Sequence, residues 1–237
     1  MIRLYVNHLL QSEATLCLDG AQAHYLVSVM RVPQGSHVLL FDNRSGEWEA
    51  EVTDVARRSV GLRVTRRMRP RESPPDLWLC AAPLKKGRID WVAEKACELG
   101  LARLVPVITR RTVVDSPNLG RLAAHMIEAA EQCGRTALPE LADPITLTKL
   151  LAEWPEGRTL LFCDEEGGDP MPPAPAPAAI LIGPEGGFDA AERAAIRAHP
   201  QARAIGLGPR ILRADTAAVA AISVWMAQSG DWRGPVA

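Results

Sequence analysis

The chain has 237 residues, enough for two ordinary domains or one large one, and a formal net charge of −1 gives it no overall pull on a polyanion. Hydrophobic residues at 47% and charged residues at 23% exclude a disordered or fibrous chain, and no apolar run reaches the length of a membrane span. Five scattered cysteines, none spaced C-x-x-C, exclude a disulfide framework and a zinc site, and they read as mostly buried thiols. The first residues lack the charged flank, apolar core and cleavage site of a signal peptide, so the expected location is cytoplasmic.

The first seventy residues read as a small β-rich unit. A short helix is expected over residues 21–30, before Pro33 and Gly35 break the chain. An apolar run at 37–41 ends in a turn cluster at 42–46. Trp48, Ala50 and Val52 then alternate with Glu47, Glu49, Glu51 and Thr53, as in a strand with one buried face, and Val60, Leu62 and Val64 repeat the pattern. The result is a barrel-like module of a kind that binds RNA. Arg57, Arg58, Arg63, Arg66, Arg67, Arg69 and Arg71 follow one another without an intervening acid. They suit either bidentate phosphate contact or a solvated edge. Residues 66–75 carry several prolines and no apolar periodicity, which predicts a linker between domains at 1–70 and 76–237.

From Asp76 onward strands and helices alternate. Strands are expected at 77–82, 104–108, 160–163, 179–182 and 204–207, and helices at 89–99, 119–133, 190–198 and 216–228. The helix at 119–133 is the clearest, because Leu119, Leu122, Ala123, Met126, Ile127 and Ala130 fall on one face. Such alternation predicts an α/β fold with a mostly parallel sheet covered on both sides. The proline-rich stretch 169–178 reads as a surface excursion without chemistry. His24, His125 and His199 have no second ligand at metal spacing, so no metal site is expected.

Two loops follow predicted strands and precede predicted helices, the position where open α/β sheets bind ligands. One is Gly183-Pro184-Glu185-Gly186-Gly187, after Ile182; the other is Leu207-Gly208-Pro209-Arg210-Ile211-Leu212-Arg213. Neither has the spacing of a P-loop or of a dinucleotide fingerprint, and Glu185 would repel a phosphate. The ligand expected is cationic or neutral at that end, as S-adenosylmethionine is. Glu131 and Arg135, one helical turn apart, are read as sharing a face, where they hold either a target nucleotide or each other. Lys85, Lys86 and Arg88, like Arg110 and Arg111, suit RNA phosphates or a solvated turn.

These segments, with Glu131-Gln132-Cys133-Gly134-Arg135 and Glu94-Lys95-Ala96-Cys97-Glu98-Leu99-Gly100 in the same order, resemble the RsmE family, the small-subunit (16S) rRNA uridine-N3 methyltransferases of the SPOUT class. The resemblance implies a PUA-like β-barrel for RNA, a SPOUT-type parallel sheet with a C-terminal trefoil knot, and a homodimer acting on small-subunit rRNA or the assembled subunit. It further implies an S-adenosylmethionine site at Leu161, Ile182, Gly183, Pro184, Glu185, Gly186, Gly187, Leu207, Gly208, Ile211 and Leu212, with Arg213, Glu131 and Arg135 as catalytic candidates. Arg213 either stabilises the uridine imide anion or pairs with Asp215 or a neighbouring helix end. The family usually has Glu where this chain has Asp215, a change that suits a helix cap at Thr216 better than a substrate contact. Two other functions remain open: a SPOUT methyltransferase for another RNA or a ribose 2′-oxygen, and a non-catalytic RNA-binding assembly factor.

Overall fold

The computed structural model describes residues 1–85 and 87–233; Lys86, one of the expected phosphate contacts, lies outside the described residues. The chain divides into two units, one comprising Met1–Ser73 with Ala130–Ala137, the other Pro74–Ala129 with the described residues from Leu138 onward.

In the first unit, β1 (Arg3–Tyr5), β2 (Thr15–Leu18), β3 (His37–Phe41), β4 (Glu47–Val55) and β5 (Val60–Arg69) form one sheet in the order β1-β3-β4-β5-β2, antiparallel except for the β1-β3 pair. Alternation puts Ala50, Val52, Val60, Leu62 and Val64 into its core with Leu4, Leu26 and Leu40. The expected helix is α1 (Gly20–His24), and its continuation, Tyr25–Val29, is wound as a π-helix.

The predicted linker is corrected at its start, because β5 runs on to Arg69. Long-range charge accounts for this. Glu47, Glu49 and Glu51 on β4 pair with Arg69 (2.9 Å), Arg66 (3.0 Å) and Arg63 (2.5 Å) on β5. Opposite charges across a ladder stabilise it, so arginines without apolar periodicity still form a strand. Arg71 donates to the Asn43 carbonyl. Among the described residues only Arg57, Arg58 and Arg67 of the seven-arginine run have no side-chain hydrogen-bond or ion-pair partner.

Glu47, expected to face solvent, is buried. Arg3 meets it at 2.5 Å while stacking 4.0 Å over the Phe41 ring. The same Arg3 donates to the carbonyls of Ala130 and Arg135, and Arg69 donates to that of Gly134. Carbonyls at a helix end lack intrahelical donors and carry partial negative charge, so two arginines form an effective C-terminal cap. The helix they cap is α3 (Leu119–Cys133).

The second unit holds β6 (Leu77–Ala81), α2 (Arg88–Glu98), β7 (Arg103–Ile108), α3 (Leu119–Cys133), β8 (Glu140–Leu141), β9 (Ile145–Thr146), α4 (Leu147–Ala152), β10 (Thr159–Cys163), β11 (Asp169–Pro170), β12 (Ala178–Ile182), α5 (Ala190–Ala198), β13 (Ala202–Gly206) and α6 (Ala214–Ser229), with the last turn of α3 counted in the first unit. All strands are parallel, in the order β11-β13-β10-β12-β6-β7-β8, with β9 also on β7. The central strand β12 is buried along its whole length. One sheet face packs Phe162, Leu181 and Val107 against Leu147 and Leu150 of α4 and Ile196 of α5. The other meets α6, which also packs on α2.

The stretch 169–178 is more than a surface excursion. Asp169–Pro170 adds an edge strand, Met171 and Ala174 are buried, and the Trp225 indole of α6 donates to the Ala174 carbonyl at 2.8 Å. The cysteines divide more evenly than expected: Cys80 and Cys97 are buried, Cys163 is half-buried, and Cys17 and Cys133 are exposed.

Burial raises the Glu47 carboxyl, but hydrogen bonds and charges from Arg69 and Arg3 outweigh it and hold the group below its usual value. Its stabilisation is therefore complete above about pH 4.5, the value of the free side chain, and is lost as pH falls through the lowered folded value. Glu47→Gln should cost about 3 kcal/mol at neutral pH, because it leaves Arg3 buried without its counter-ion, and should flatten the acid limb of the stability curve. Urea unfolding between pH 3 and 7 checks both; an unchanged acid limb would remove Glu47 from the account.

Candidate functional site

Because the strands of the second unit are parallel, their carboxyl ends meet on one edge of the sheet. Four loops leave there: one beginning at residues 82–85 after β6, 164–168 after β10, 183–189 after β12 and 207–213 after β13. Together with the first turn of α6 they enclose a cleft of about 650 Å³. That volume lies within the range of small-molecule sites.

Most of the residues expected from the two glycine loops line this cleft: Ile182, Gly183, Pro184, Glu185 and Gly187 from one, and Leu207, Gly208, Ile211, Leu212 and Arg213 from the other. Gly183 is required by packing, since a Cβ there would press within 2.8 Å of the Phe188 ring. Gly187 is required twice over. Its φ of +65° favours glycine, and a Cβ would overlap the Glu165 carboxylate.

Four expected residues are not in the lining. Gly186 instead gives its carbonyl to Arg111 at 2.7 Å. Leu161 is fully buried in β10, where alternation turns it to the opposite face from Phe162. Glu131 accepts the Tyr5 backbone N–H at 2.9 Å and so secures β1, while Arg135, nearly fully buried, pairs with Glu72 at 2.9 Å. The shared helical face expected for Glu131 and Arg135 does not exist, because α3 ends at Cys133 and Gly134 turns the chain with φ +84°.

Sequence reasoning missed the loop after β10. Asp164, Glu165, Gly167 and Gly168 line the cleft, as does Arg210. A signal was present: three acids and two glycines immediately after a buried apolar strand. The Asp164 side chain is fully buried, accepting from Arg193 Nε at 3.2 Å and Arg197 Nε at 2.9 Å. Arg193 continues to Glu165 at 2.8 Å and to Glu166. One arginine of α5 thus fixes three successive carboxylates.

The other walls are tied in the same manner. Lys85 N–H donates to Glu185 Oε1 at 3.1 Å, linking the loops after β6 and β12. Arg110 lies in a solvated turn, one of its two expected places, where it pairs with Asp189 at 3.2 Å and its N–H donates to Glu192. Asp189 and Glu192 form the capping box of α5, and the Glu192 backbone N–H holds the Asp189 carboxyl below its usual range.

Asp215 is not the cap of α6. The helix starts at Ala214 with Arg213 in the cap position, and Asp215 sits in the first turn with its carboxylate 3.2 Å from Arg88, a residue of the lining. Arg213, exposed, has no side-chain hydrogen bond or ion pair among the described residues, so the expected pairing with Asp215 is not made. Ile211 is 86% exposed on the same loop. Chemically the cleft combines a glycine-built backbone surface, a fixed acidic wall at Glu165 and Glu185, and cations at Lys85, Arg88, Arg210 and Arg213.

A family model of the RNA methyltransferase domain matches residues 71–226, and one of the RNA methyltransferase PUA domain matches residues 18–65. Sheet, cleft and PUA domain together define an RNA methyltransferase of SPOUT-like architecture. The chain belongs to the ribosomal RNA small subunit methyltransferase E family, being 32% identical over 221 residues to the Synechocystis protein of that name, across 89% of this chain and 72% of that one. The Rickettsia conorii relative is 28% identical over 229 residues, 93% of each chain. A protein from Legionella pneumophila, solved with bound S-adenosylmethionine as cofactor, is similar with a TM-score of 0.89 at 32% identity, over 97% of this chain and 98% of that one. The ribosomal RNA small subunit methyltransferase E of Neisseria gonorrhoeae, bound to S-adenosylmethionine, gives 0.88 at 26% identity, over 98% and 99%.

Asp164 should be the structural keystone of the cleft's acidic wall. Asp164→Asn is expected to lower the stability of the second unit by about 3 kcal/mol, because it leaves Arg197 and part of Arg193 unpaired. Denaturant unfolding followed by the tryptophans would test this; a loss under about 1 kcal/mol would mean the wall is held by other contacts.

Proposed function

We propose that this protein transfers a methyl group from S-adenosylmethionine to N3 of a uridine in small-subunit ribosomal RNA, working as a homodimer. The observation that carries the reading is the cleft built by loops 164–168, 183–187 and 207–213 at the carboxyl edge of a sheet similar to two solved with that cofactor. The residues fit the group: the volume suffices, glycine loops allow close backbone approach, and Glu185 suits a ligand carrying a sulfonium. The cofactor supplies an electrophilic methyl on a sulfonium with a neutral thioether as leaving group. Ile182, Gly183, Gly187, Leu207, Gly208 and Leu212 would hold it.

Uridine N3 bears a proton, and losing it spreads negative charge onto the two flanking carbonyl oxygens. A cation beside those oxygens stabilises the anion most where water is excluded. Arg213 is the proposed residue, because it lines the cleft and its guanidinium has no intramolecular partner among the described residues. Arg88 is a weaker choice, since Asp215 already neutralises it. Glu131 and Arg135 take structural roles in this reading, securing β1 and the segment 130–137.

N3 lies on the Watson–Crick edge, so the target must be unpaired or extruded, which favours folded RNA or a partly assembled subunit as substrate. Ribosomal RNA as substrate puts the activity in the cytoplasm; no described helix is long and apolar enough to cross a membrane. Dimerisation is supported by α6, apolar nearly all round, and by exposed Trp91 of α2 and Val224 of α6 on two helices that pack together. The trefoil knot is supported by the path of residues 164–177, from which Ala174 holds Trp225 and Ser229 of α6 at 2.8 and 3.0 Å.

Incubation with labelled S-adenosylmethionine and small subunits from cells lacking the enzyme should yield 3-methyluridine on nucleoside analysis. A labelled ribose, or no label, overturns the reading. In the same assay Arg213→Ala should lower turnover by roughly 100-fold, the loss of one charge-stabilising donor, with RNA affinity changed little. Equal losses in both would return Arg213 to a binding role.

A further inference from the structure

Glu165 belongs to none of the motifs that mark the two glycine loops, yet it lines the cleft. We infer that Glu165 accepts hydrogen bonds from the ribose hydroxyls of the cofactor and that Arg193 positions it for this. The inference rests on the S-adenosylmethionine reading above.

The three acids after β10 diverge. Asp164 turns inward and is fully buried, Glu166 points outward, and Glu165 lies between them with its side chain 45% exposed to the cleft. Arg193 Nη2 donates to Glu165 Oε1 at 2.8 Å. Among the described residues nothing donates to Oε2. A carboxylate has room for about four hydrogen bonds, so most of the acceptor capacity of Glu165 faces open space.

Strand pairing decides what that space adjoins. β10 and β12 are neighbours in parallel register, about 4.8 Å apart, and the glycine loop follows β12. The Glu165 carboxylate consequently rests against the Gly187 backbone, where a Cβ would overlap it. A glycine loop on one parallel strand and a carboxylate at the end of its neighbour is the arrangement by which open α/β sheets hold an adenosine and its ribose. Charge favours the neutral diol over a cationic group at this point. Arg193 already compensates Glu165, and Lys85, Arg88, Arg210 and Arg213 line the same cleft, so what remains at Glu165 is acceptor capacity rather than unbalanced charge.

The test is calorimetry on the full-length protein with S-adenosylhomocysteine and its 2′-deoxy analogue. Wild type should bind the deoxy compound about tenfold more weakly, the loss of one hydrogen bond to a charged acceptor. Glu165→Ala should bind both compounds equally and no better than wild type binds the deoxy one. Arg193→Lys keeps the charge but not the fork that spans three carboxylates, and should reduce the hydroxyl discrimination itself, a ratio that a loss of stability alone would not move. If wild type binds neither compound, the cofactor reading falls and the inference with it. If wild type binds S-adenosylhomocysteine but Glu165→Ala discriminates as before, the inference alone is overturned; an unchanged ratio in Arg193→Lys removes Arg193 from it.

Discussion

The parallel pairing of β12 with β10 on one side and β6 on the other is the constraint on which the second unit depends. Parallel strands need crossover connections, and these place every strand's carboxyl end on the same edge. β12 is buried from Ala178 to Ile182, so its register is fixed by packing on both faces. The loops that follow β6, β10, β12 and β13 then have nowhere to go except around one cleft. Short polar ties finish what the register begins: Lys85 to Glu185, Arg111 to Gly186, and Arg193 to the acids after β10.

How much of this the amino-acid sequence discloses depends on the range of the interactions involved. Local periodicity suffices for α3, whose predicted and observed limits coincide, and for the buried strands β10 and β12, which differ by one residue at their starts. Glycine and proline chemistry suffices for the two loops, because the requirement at Gly183 and Gly187 is steric and immediate. Where partners are distant, the pattern is silent. Residues 66–69 look like linker until their glutamate partners on β4 are known. Glu131 and Arg135 look like a helical pair until Gly134 is seen to end the helix between them. The acids after β10 advertise polarity, but only their neighbours on α5 and Gly187 give them a place.

Electrostatics in the first unit follows from the same ladder. A run of seven arginines suggests a strongly cationic strip, yet three of them face glutamates across the β4-β5 pair. The exposed pairs Arg63–Glu51 and Arg66–Glu49 contribute little to stability, but all three pairs offset the field that a polyanion would feel. Arg57, Arg58, Arg67 and Arg71 remain without an acidic partner among the described residues, Arg71 bonding only to neutral groups. The cationic strip is therefore narrower than residue counts imply.

The arginine cap at the end of α3 bears on biosynthesis. Arg3 and Arg69 reach carbonyls of residues 130, 134 and 135, so the barrel that is translated first is completed by chain made much later. At about 10 residues per second, the buried Arg3 waits roughly 12 s for acceptors that lie more than 120 positions ahead. During that interval the nascent barrel holds an arginine stacked on Phe41 and paired with Glu47 but short of two of its hydrogen-bond partners. The order in which the ribosome delivers the chain thus leaves the first domain unfinished until the second is well under way.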